Sequence, residues 1–184
     1  EESTIHVNTL FGGGLGNTNN RRCDVHKAYI EYHSPNARVD NAIYGGNCSY
    51  RRTIESYVSI SAPVYNTSNQ LVDVYGGGYG EATWAECTHV YLEDGAEVNN
   101  VYGGGNKGKV YNSAAVTAQG FPQSTPKASY LDGEYNTNIN ISVGALVDSC
   151  VYGGGYGVQA TVTGSTGVNL LGGTVTIDIY GGGE

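Results

Sequence analysis

The sequence predicts an all-β protein, a parallel β-helix or β-solenoid of about six coils with little or no helix. Two patterns predict it: an aromatic–glycine motif recurring about every 30 residues, and alternating apolar and polar runs between its copies. The 184 residues include 29 glycines and 16 tyrosines, but only 2 phenylalanines, 1 tryptophan and no methionine. Such a composition suits pleated surfaces and leaves little material for a helical core.

The motif consists of an apolar residue, an aromatic residue and three glycines. Its six copies are Leu10-Phe11-Gly-Gly-Gly, Ile43-Tyr44-Gly-Gly-Asn, Val74-Tyr75-Gly-Gly-Gly, Val101-Tyr102-Gly-Gly-Gly, Val151-Tyr152-Gly-Gly-Gly and Ile179-Tyr180-Gly-Gly-Gly. One interval is longer than the others, and it contains residues 113–129, which are rich in Ala, Ser, Thr, Gln and Pro. We therefore predict a single domain, residues 1–184, with an inserted loop at 113–129.

Alternating runs such as Tyr57-Val-Ser-Ile-Ser61 and Asn138-Ile-Asn-Ile-Ser142 lie between the copies. A period of two residues predicts strands with one buried face. A unit of this size cannot bury that face alone, so we expect successive copies to stack, each strand pairing with its counterpart in the next copy. The predicted rise per coil is ~4.8 Å, the ordinary distance between paired strands.

The tyrosines of the motif are predicted to mark the same corner of every coil; they are Tyr44, Tyr75, Tyr102, Tyr152 and Tyr180. The glycines after each ring are expected to permit either a positive φ or a close approach of two backbones. Each ring should stack on the equivalent ring of the next coil, which adds ~0.5–1.5 kcal/mol beyond its burial. This structural role accounts for the motif without any ligand.

The Val-Tyr-Gly-Gly-Gly segments, with Gly-Gly-Thr-Val-Thr-Ile at 172–177, resemble the Gly-rich repeats of large secreted or surface-displayed proteins of anaerobic gut-type bacteria. The resemblance covers nearly the whole chain apart from residues 113–129. It implies an extracellular or cell-surface protein of adhesin or fibre type, and little chemistry transfers with it. The sequence departs from the repeat at Asn47, where a third glycine is expected, and at Phe11, where a tyrosine is expected.

An extracellular structural or adhesive role is therefore the expected function. Neither end of the chain carries a recognisable cap, and uncapped strand edges recruit further strands. We expect the partner to be a second copy stacked end to end, as in a filament, or further repeats of the same chain. The formal net charge of −8 argues against nucleic acid, and no apolar run is long enough to predict a membrane span. The sequence predicts no catalytic residue.

A recurring acidic position precedes the motif, and its members are Asn8, Asp40, Asp73, Asn99, Asp148 and Asp178. Stacked coils are expected to place Asp40 above Asp73 and Asp148 above Asp178. Two interpretations stay open. The side chains form a ladder of turn-stabilising bonds to backbone amides, or neighbouring carboxylates hold a cation such as Ca²⁺.

Four further aromatic residues suggest an alternative function, a carbohydrate-binding or carbohydrate-cleaving β-helix. They are Tyr79, Trp84, Tyr91 and Tyr156, which lie among polar residues around the third and fifth motif copies. Aromatic platforms of this kind suit sugar rings, whereas the competing interpretation is that these rings stack between coils. Because His89 alternates with Val90 and Leu92, we expect its side chain to face solvent.

The cysteines are even in number and lack the short spacing of a zinc site; they are Cys23, Cys48, Cys87 and Cys150. Two disulfides are possible in an oxidising compartment, with three connectivities open. Four free thiols are the alternative.

Overall fold

The computed structural model describes residues 4–16, 23–111 and 135–184. These residues form β-strands and turns and contain no helix. Every pairing between two strands is parallel. The predicted all-β class and the parallel pairing are confirmed for the described residues, while the predicted insert at 113–129 lies outside them.

The strands are mostly short, and two of them are long. In chain order they are β1 (His6–Val7), β2 (Leu10–Phe11), β3 (Val25–Tyr32), β4 (Arg38–Val39), β5 (Ala42–Tyr44), β6 (Cys48–Ile60), β7 (Asp73–Tyr75), β8 (Tyr79–Leu92), β9 (Glu97–Val98), β10 (Val101–Tyr102), β11 (Lys109–Tyr111), β12 (Thr137–Ile141), β13 (Leu146–Val147), β14 (Val151–Tyr152), β15 (Val162–Thr163), β16 (Thr166–Leu170), β17 (Thr174–Val175) and β18 (Ile179–Tyr180).

One six-stranded sheet contains a strand from every copy of the motif. Its order is β2-β5-β7-β10-β14-β18, so strands that follow one another among the motif copies are hydrogen-bonded neighbours. The register places aromatic residue against aromatic residue throughout; Tyr75, for example, lies opposite Tyr102, which lies opposite Tyr152. Each copy of the motif therefore lies directly beside the next.

A second and larger sheet contains the alternating runs. Strands β3, β6, β8, β12 and β16 pair in this order, and β11 joins the earlier part of β8 to β15. Two small sheets complete the fold, β1-β4 and β9-β13-β17. The alternation in these runs places Val58, Val90 and Ile139 opposite one another, and all three are fully buried.

The apolar core runs between the sheets and consists of equivalent residues from successive copies. Its fully buried members include Ile43, Val74, Val101 and Val151 from the six-stranded sheet. Complete burial of one such side chain contributes about 1.5–3 kcal/mol. Because the same positions are apolar in every copy, the core is continuous along the stack of strands.

The glycines of the interior motif copies lie close to the backbone of an adjacent copy. All motif glycines lie in the described ranges, and none of them has a positive φ. A Cβ atom added to Gly76 would overlap the carbonyl oxygen of Gly103, and one added to Gly77 would lie 2.8 Å from the amide nitrogen of Gly105. Of the two predicted reasons for glycine here, close backbone approach applies and the left-handed conformation does not.

A column of hydroxyl groups on matching positions of the larger sheet lies next to the motif glycines. Its members are Ser56, Thr88, Thr137 and Thr166, which lie opposite one another in register. Each hydroxyl donates a hydrogen bond, 2.5–2.6 Å long, to the carbonyl oxygen of the first glycine of the following motif copy. In the three interior copies these bonds satisfy buried carbonyl groups, those of Gly76, Gly103 and Gly153.

Asn47, the residue in place of a glycine, is almost fully buried and connects several backbone segments. Its Nδ2 atom lies within hydrogen-bond distance of the carbonyl oxygens of Cys23, Tyr50 and Arg52. Its Oδ1 atom accepts from the amide of Gly14, at 2.8 Å, and from the Thr53 hydroxyl. Asn47 therefore supports the start of β6, where the register with β8 shifts.

Candidate functional site

The aromatic rings of the motif form a continuous stack, which we call the aromatic column. Its members are Phe11, Tyr44, Tyr75, Tyr102, Tyr152 and Tyr180. Successive ring centroids are 5.1, 4.8, 4.6, 4.9 and 5.1 Å apart, and every pair is nearly parallel. Each interior ring is covered on both faces by its neighbours, so the column presents ring edges rather than ring faces to its surroundings.

A second set of side chains lies beside this column, and we call it the flanking row. It contains the residue that directly follows the third position of each triplet, namely Leu15, Cys48, Tyr79, Asn106, Tyr156 and Glu184. The ring of Tyr79 lies 5.5 Å from that of Tyr44 and is tilted by 59° to it. Tyr156 meets Tyr102 at 5.7 Å and 72°. The two tyrosines of the flanking row therefore pack crosswise against the aromatic column.

Polar groups of the flanking row contact the phenol groups of the column. The amide of Asn106 donates to the hydroxyl of Tyr44 over 3.5 Å, and the hydroxyl of Tyr102 donates to Glu184 at 2.8 Å. Tyr79 and Tyr156 keep 42% and 40% of their surface exposed. Partly exposed aromatic rings next to an amide are a chemical combination that suits a small polar ligand.

The four residues of the predicted carbohydrate platform do not lie together. Tyr79 and Tyr156 belong to the flanking row, whereas Trp84 and Tyr91 lie further along β8 in the larger sheet. Trp84 is only 7% exposed and meets Tyr111 edge to face, so its ring is part of the packing. Tyr91 is partly buried and lies parallel to the ring of His89. Only Tyr79 and Tyr156 retain the exposure that a platform requires.

The predicted stacking of Asp40 over Asp73 and of Asp148 over Asp178 is wrong. Asp73 lies opposite Ala42. Val151 pairs with Ile179, so the residue that Asp178 lies opposite is Cys150. The physical reason is the number of residues before the paired aromatic strand. Asp73 and Asp178 lie one residue before its apolar residue, whereas Asp40 and Asp148 lie three residues before it and belong to another column.

The carboxylates are separated and bind neighbouring polar groups. Asp40 accepts from the hydroxyl and amide of Thr67 and lies 2.6 Å from His6 Nε2, and these bonds lower the pKa of its carboxyl group. Asp73 accepts from the side chains of Asn99 and Asn100. No three His, Cys, Asp or Glu side chains of the described residues cluster as metal ligands. Each of these two carboxylates also accepts from a backbone amide, that of Thr67 for Asp40 and that of Asn100 for Asp73.

All four cysteines, which the described ranges include, are free thiols in the structure. Cys87 and Cys150 are buried, and Cys23 and Cys48 are partly buried. The Cys87 sulfur lies 3.2 Å from Nε2 of His89. The expectation that His89 faces solvent is wrong, because its ring stacks on Tyr57 at 4.4 Å and is only 6% exposed.

Three features of the structure were not predicted from the sequence: the column of hydroxyl groups, the contacts of Asn47 and the Cys87–His89 pair. The first had a visible signal. Aligning the alternating runs on their apolar residues places a serine or threonine at the start of four of them, before Tyr57, His89, Asn138 and Gly167. The other two had none, because each depends on which segments the turns bring together.

Burial changes the acidity of the aromatic column. It raises the pKa of Tyr44 to about 12. Burial also raises the pKa of Tyr75 and, with the hydrogen bond to Glu184 as a second cause, that of Tyr102. A raised pKa means that the folded protein favours the neutral phenol. The corresponding stability is complete below the pKa of an unfolded tyrosine, about 10, and is lost as pH rises above it.

We therefore expect cooperative unfolding between about pH 10 and 12, as the phenols of the column ionise in the unfolded chain. Circular dichroism and tyrosinate absorbance, recorded together against pH, should change in one transition. Tyr44→Phe should move the midpoint to higher pH, because it removes one ionisable phenol and keeps the ring, as Phe11 does in the first copy. Ionisation of the column at its ordinary pKa with the fold intact would contradict this account.

The fold and its columns define a class: an all-β protein of parallel strands in which equivalent residues of successive motif copies stack on one another. No protein-family model matches the chain, and neither a curated protein nor a solved structure does. Within the described residues, no helix has the length and apolar character needed to cross a membrane.

Proposed function

We propose that this chain is an extracellular structural or adhesive module, folded as a parallel β-solenoid of about six coils that joins further coils at its ends. The repeating contacts support this proposal. Ring stacking, the hydroxyl-to-glycine bonds and the close approach of glycine backbones recur from copy to copy, so each copy uses its neighbour in the same way. Repetition of this kind extends a structure in one direction without changing its surface chemistry.

The main support for an end-to-end contact is the open space beside the glycines of the last motif copy. A Cβ atom on Gly153 would lie 2.5 Å from the carbonyl oxygen of Gly181, and one on Gly154 would lie 2.6 Å from the amide of Gly183. The equivalent atoms on Gly181 and Gly182 would meet nothing within 4 Å. The last copy thus has the side-chain-free surface of the interior copies, but no residue in the described part of the chain covers Gly181 and Gly182.

The strand β18 lies at one edge of the six-stranded sheet. Its residues Ile179 and Tyr180 are 43% and 44% exposed, unlike the buried Val101 and Tyr102 of the interior strand β10. At the opposite edge of the same sheet, β2 presents Phe11 as the first ring of the aromatic column. We propose that Tyr180 stacks on an equivalent ring of another copy or of further repeats, which is a heterologous and open contact.

The test changes two glycines of the last motif copy and leaves the interior copies unchanged. The double variant Gly181→Val, Gly182→Val should fold like the parent protein, because the new side chains have free space in the monomer. It should remain a monomer, because the added carbon atoms occupy the place of an incoming backbone. Sedimentation velocity over a range of concentrations, with negative-stain microscopy, should show end-to-end assemblies for the parent protein only.

The exposed Val158, which lies outside the six-stranded sheet, provides a matched control. Val158→Ala changes an apolar surface residue and should leave assembly unchanged. A parent protein that stays monomeric at every concentration would contradict the proposed contact between two copies and would leave further repeats as the partner of Tyr180. A double variant that assembles as the parent does would also contradict the contact between two copies.

The second candidate function is carbohydrate binding, and the exposure of Tyr79 and Tyr156 favours it. Both rings are held by the aromatic column, and Asn106 lies between them in the flanking row. An adhesive module would use such a surface to attach to a glycan, so this candidate is compatible with the first. A glycan array with the folded protein is the initial measurement, and binding to a single glycan class is the expected result.

A further inference from the structure

We propose that Tyr79 and Tyr156 are two equivalent contact points for one linear, extended, neutral polysaccharide that lies along the stacking direction of the strands. This inference rests on the carbohydrate-binding candidate and is independent of end-to-end assembly. It specifies the shape of the ligand and its direction on the protein, and three observations lead to it.

The orientation of the rings distinguishes these two tyrosines from the aromatic column. Interior rings of the column stack on both faces at 4.6–5.1 Å, so a sugar can reach only their edges. Tyr79 and Tyr156 are tilted by 59° and 72° against that stack. Their planes therefore lie closer to the stacking direction, and neither ring is enclosed between two parallel rings of the column as the interior rings are. The proposed contact uses the exposed part of each ring, since these residues keep 42% and 40% of their surface exposed. A pyranose ring binds an aromatic face through its apolar C–H groups.

The spacing of the two rings suits a repeating polymer. The amides of Tyr79, Asn106 and Tyr156 donate to carbonyl oxygens of the preceding motif copies, those of Asn47, Gly78 and Gly105, with lengths of 2.9, 3.0 and 2.9 Å. The three residues thus occupy successive levels of one column. Two levels correspond to about 9.6 Å, twice the ordinary strand spacing. An extended glycan chain repeats over a similar length every two sugar units.

The groups between and around the rings favour a neutral ligand. Asn106 lies midway between the two tyrosines, and its amide has donor and acceptor capacity for sugar hydroxyl groups. Lys107 is the exposed cation that follows it, but the chain as a whole carries a formal net charge of −8. A polysaccharide rich in carboxylates or sulfates would be repelled by this charge.

The experiment compares short and long ligands on matched variants. Isothermal titration would use cello-, xylo-, manno- and chito-oligosaccharides, each as the disaccharide and the hexasaccharide, against the parent, Tyr79→Ala and Tyr156→Ala. For the oligosaccharide class that binds, each single variant should lose about tenfold or more in hexasaccharide affinity, because the long chain uses both rings. The disaccharide should lose at most about twofold, because either ring alone still binds it.

Two further variants separate ring contact from other effects. Tyr79→Phe should bind as the parent does, since the ring face and not the hydroxyl makes the contact. Tyr29→Ala removes a more exposed ring, 61% exposed on β3 of the larger sheet, and should also bind normally. Circular dichroism confirms folding of each variant.

The possible outcomes distinguish the proposed binding site from carbohydrate binding in general. If no oligosaccharide binds, carbohydrate binding by these four classes fails together with the inference. If a hexasaccharide binds and neither Tyr79→Ala nor Tyr156→Ala weakens it, the candidate function stands and the proposed site is wrong. Equal losses for Tyr29→Ala would place the ligand on the larger sheet and would also overturn the inference.

Discussion

Replacing Gly103 with alanine is expected to destabilise the protein by about 3 kcal/mol, or to prevent folding. The added Cβ atom would overlap the carbonyl oxygen of Gly153 and would lie 2.8 Å from Cβ of Thr137. Neither neighbour can move away freely, because the Gly103 amide donates to Tyr152 and the Thr137 hydroxyl donates to Gly153. Urea denaturation followed by circular dichroism measures the loss.

The same substitution at Gly181 provides the control. Gly181 occupies the same motif position, but a Cβ atom there would meet nothing within 4 Å. Gly181→Ala should therefore change the free energy of unfolding of the monomer by less than about 0.5 kcal/mol, as expected for a surface substitution. Equal stability of the two variants would mean that neighbouring copies do not approach as closely as the glycine contacts require.

Asn47→Gly is the second substitution with a large expected effect, although it restores the glycine triplet. The change removes an amide bonded to three carbonyl groups and an oxygen that accepts from Gly14 and Thr53. Each buried polar group left without a partner costs about 1–3 kcal/mol. We expect a loss on the order of 3 kcal/mol in the free energy of unfolding, measured by urea denaturation.

Two companion variants identify the cause. Asn47→Asp keeps the accepting oxygen and loses the donors, so its stability should fall clearly below that of the parent. Asn41→Gly makes the same exchange at an exposed asparagine whose side chain donates to the Thr9 hydroxyl. It should cost about 0.5–1 kcal/mol, the conformational cost of a glycine. If Asn47→Gly is as stable as the parent, the amide contacts contribute nothing to the fold.

Much of the strand arrangement was visible in the sequence because it depends on register. The motif aligns Val74 with Val101 and Val151 by inspection, and the parallel sheet pairs the same residues. The acidic positions could not be aligned as simply. Asp40 and Asp73 both precede the motif, but by different numbers of residues, and a difference of two residues moves a side chain to another column. The motif was therefore a reliable guide and the flanking residues were not.

The candidate site was predicted only in part, for the same reason. Tyr79 and Tyr156 follow their glycines directly, so the register of the motif brings them into one column. Trp84 and Tyr91 lie further along β8, beyond the start of the larger sheet, where the neighbouring segments decide their exposure. Trp84 is buried against Tyr111, a residue of β11, and nothing in its own surroundings in the sequence signals that contact.

The amino-acid sequence by itself determined the all-β class, the parallel pairing and the alignment of the six motif copies. Hydrogen bonding between equivalent short strands needs only a repeated pattern, and the pattern is present in the chain. The tertiary structure alone decided that His89 packs against Cys87, that Asn47 joins separate backbone segments, and which tyrosines stay partly exposed. Those contacts depend on bulges and turns between the strands, whose geometry sets where each side chain lies.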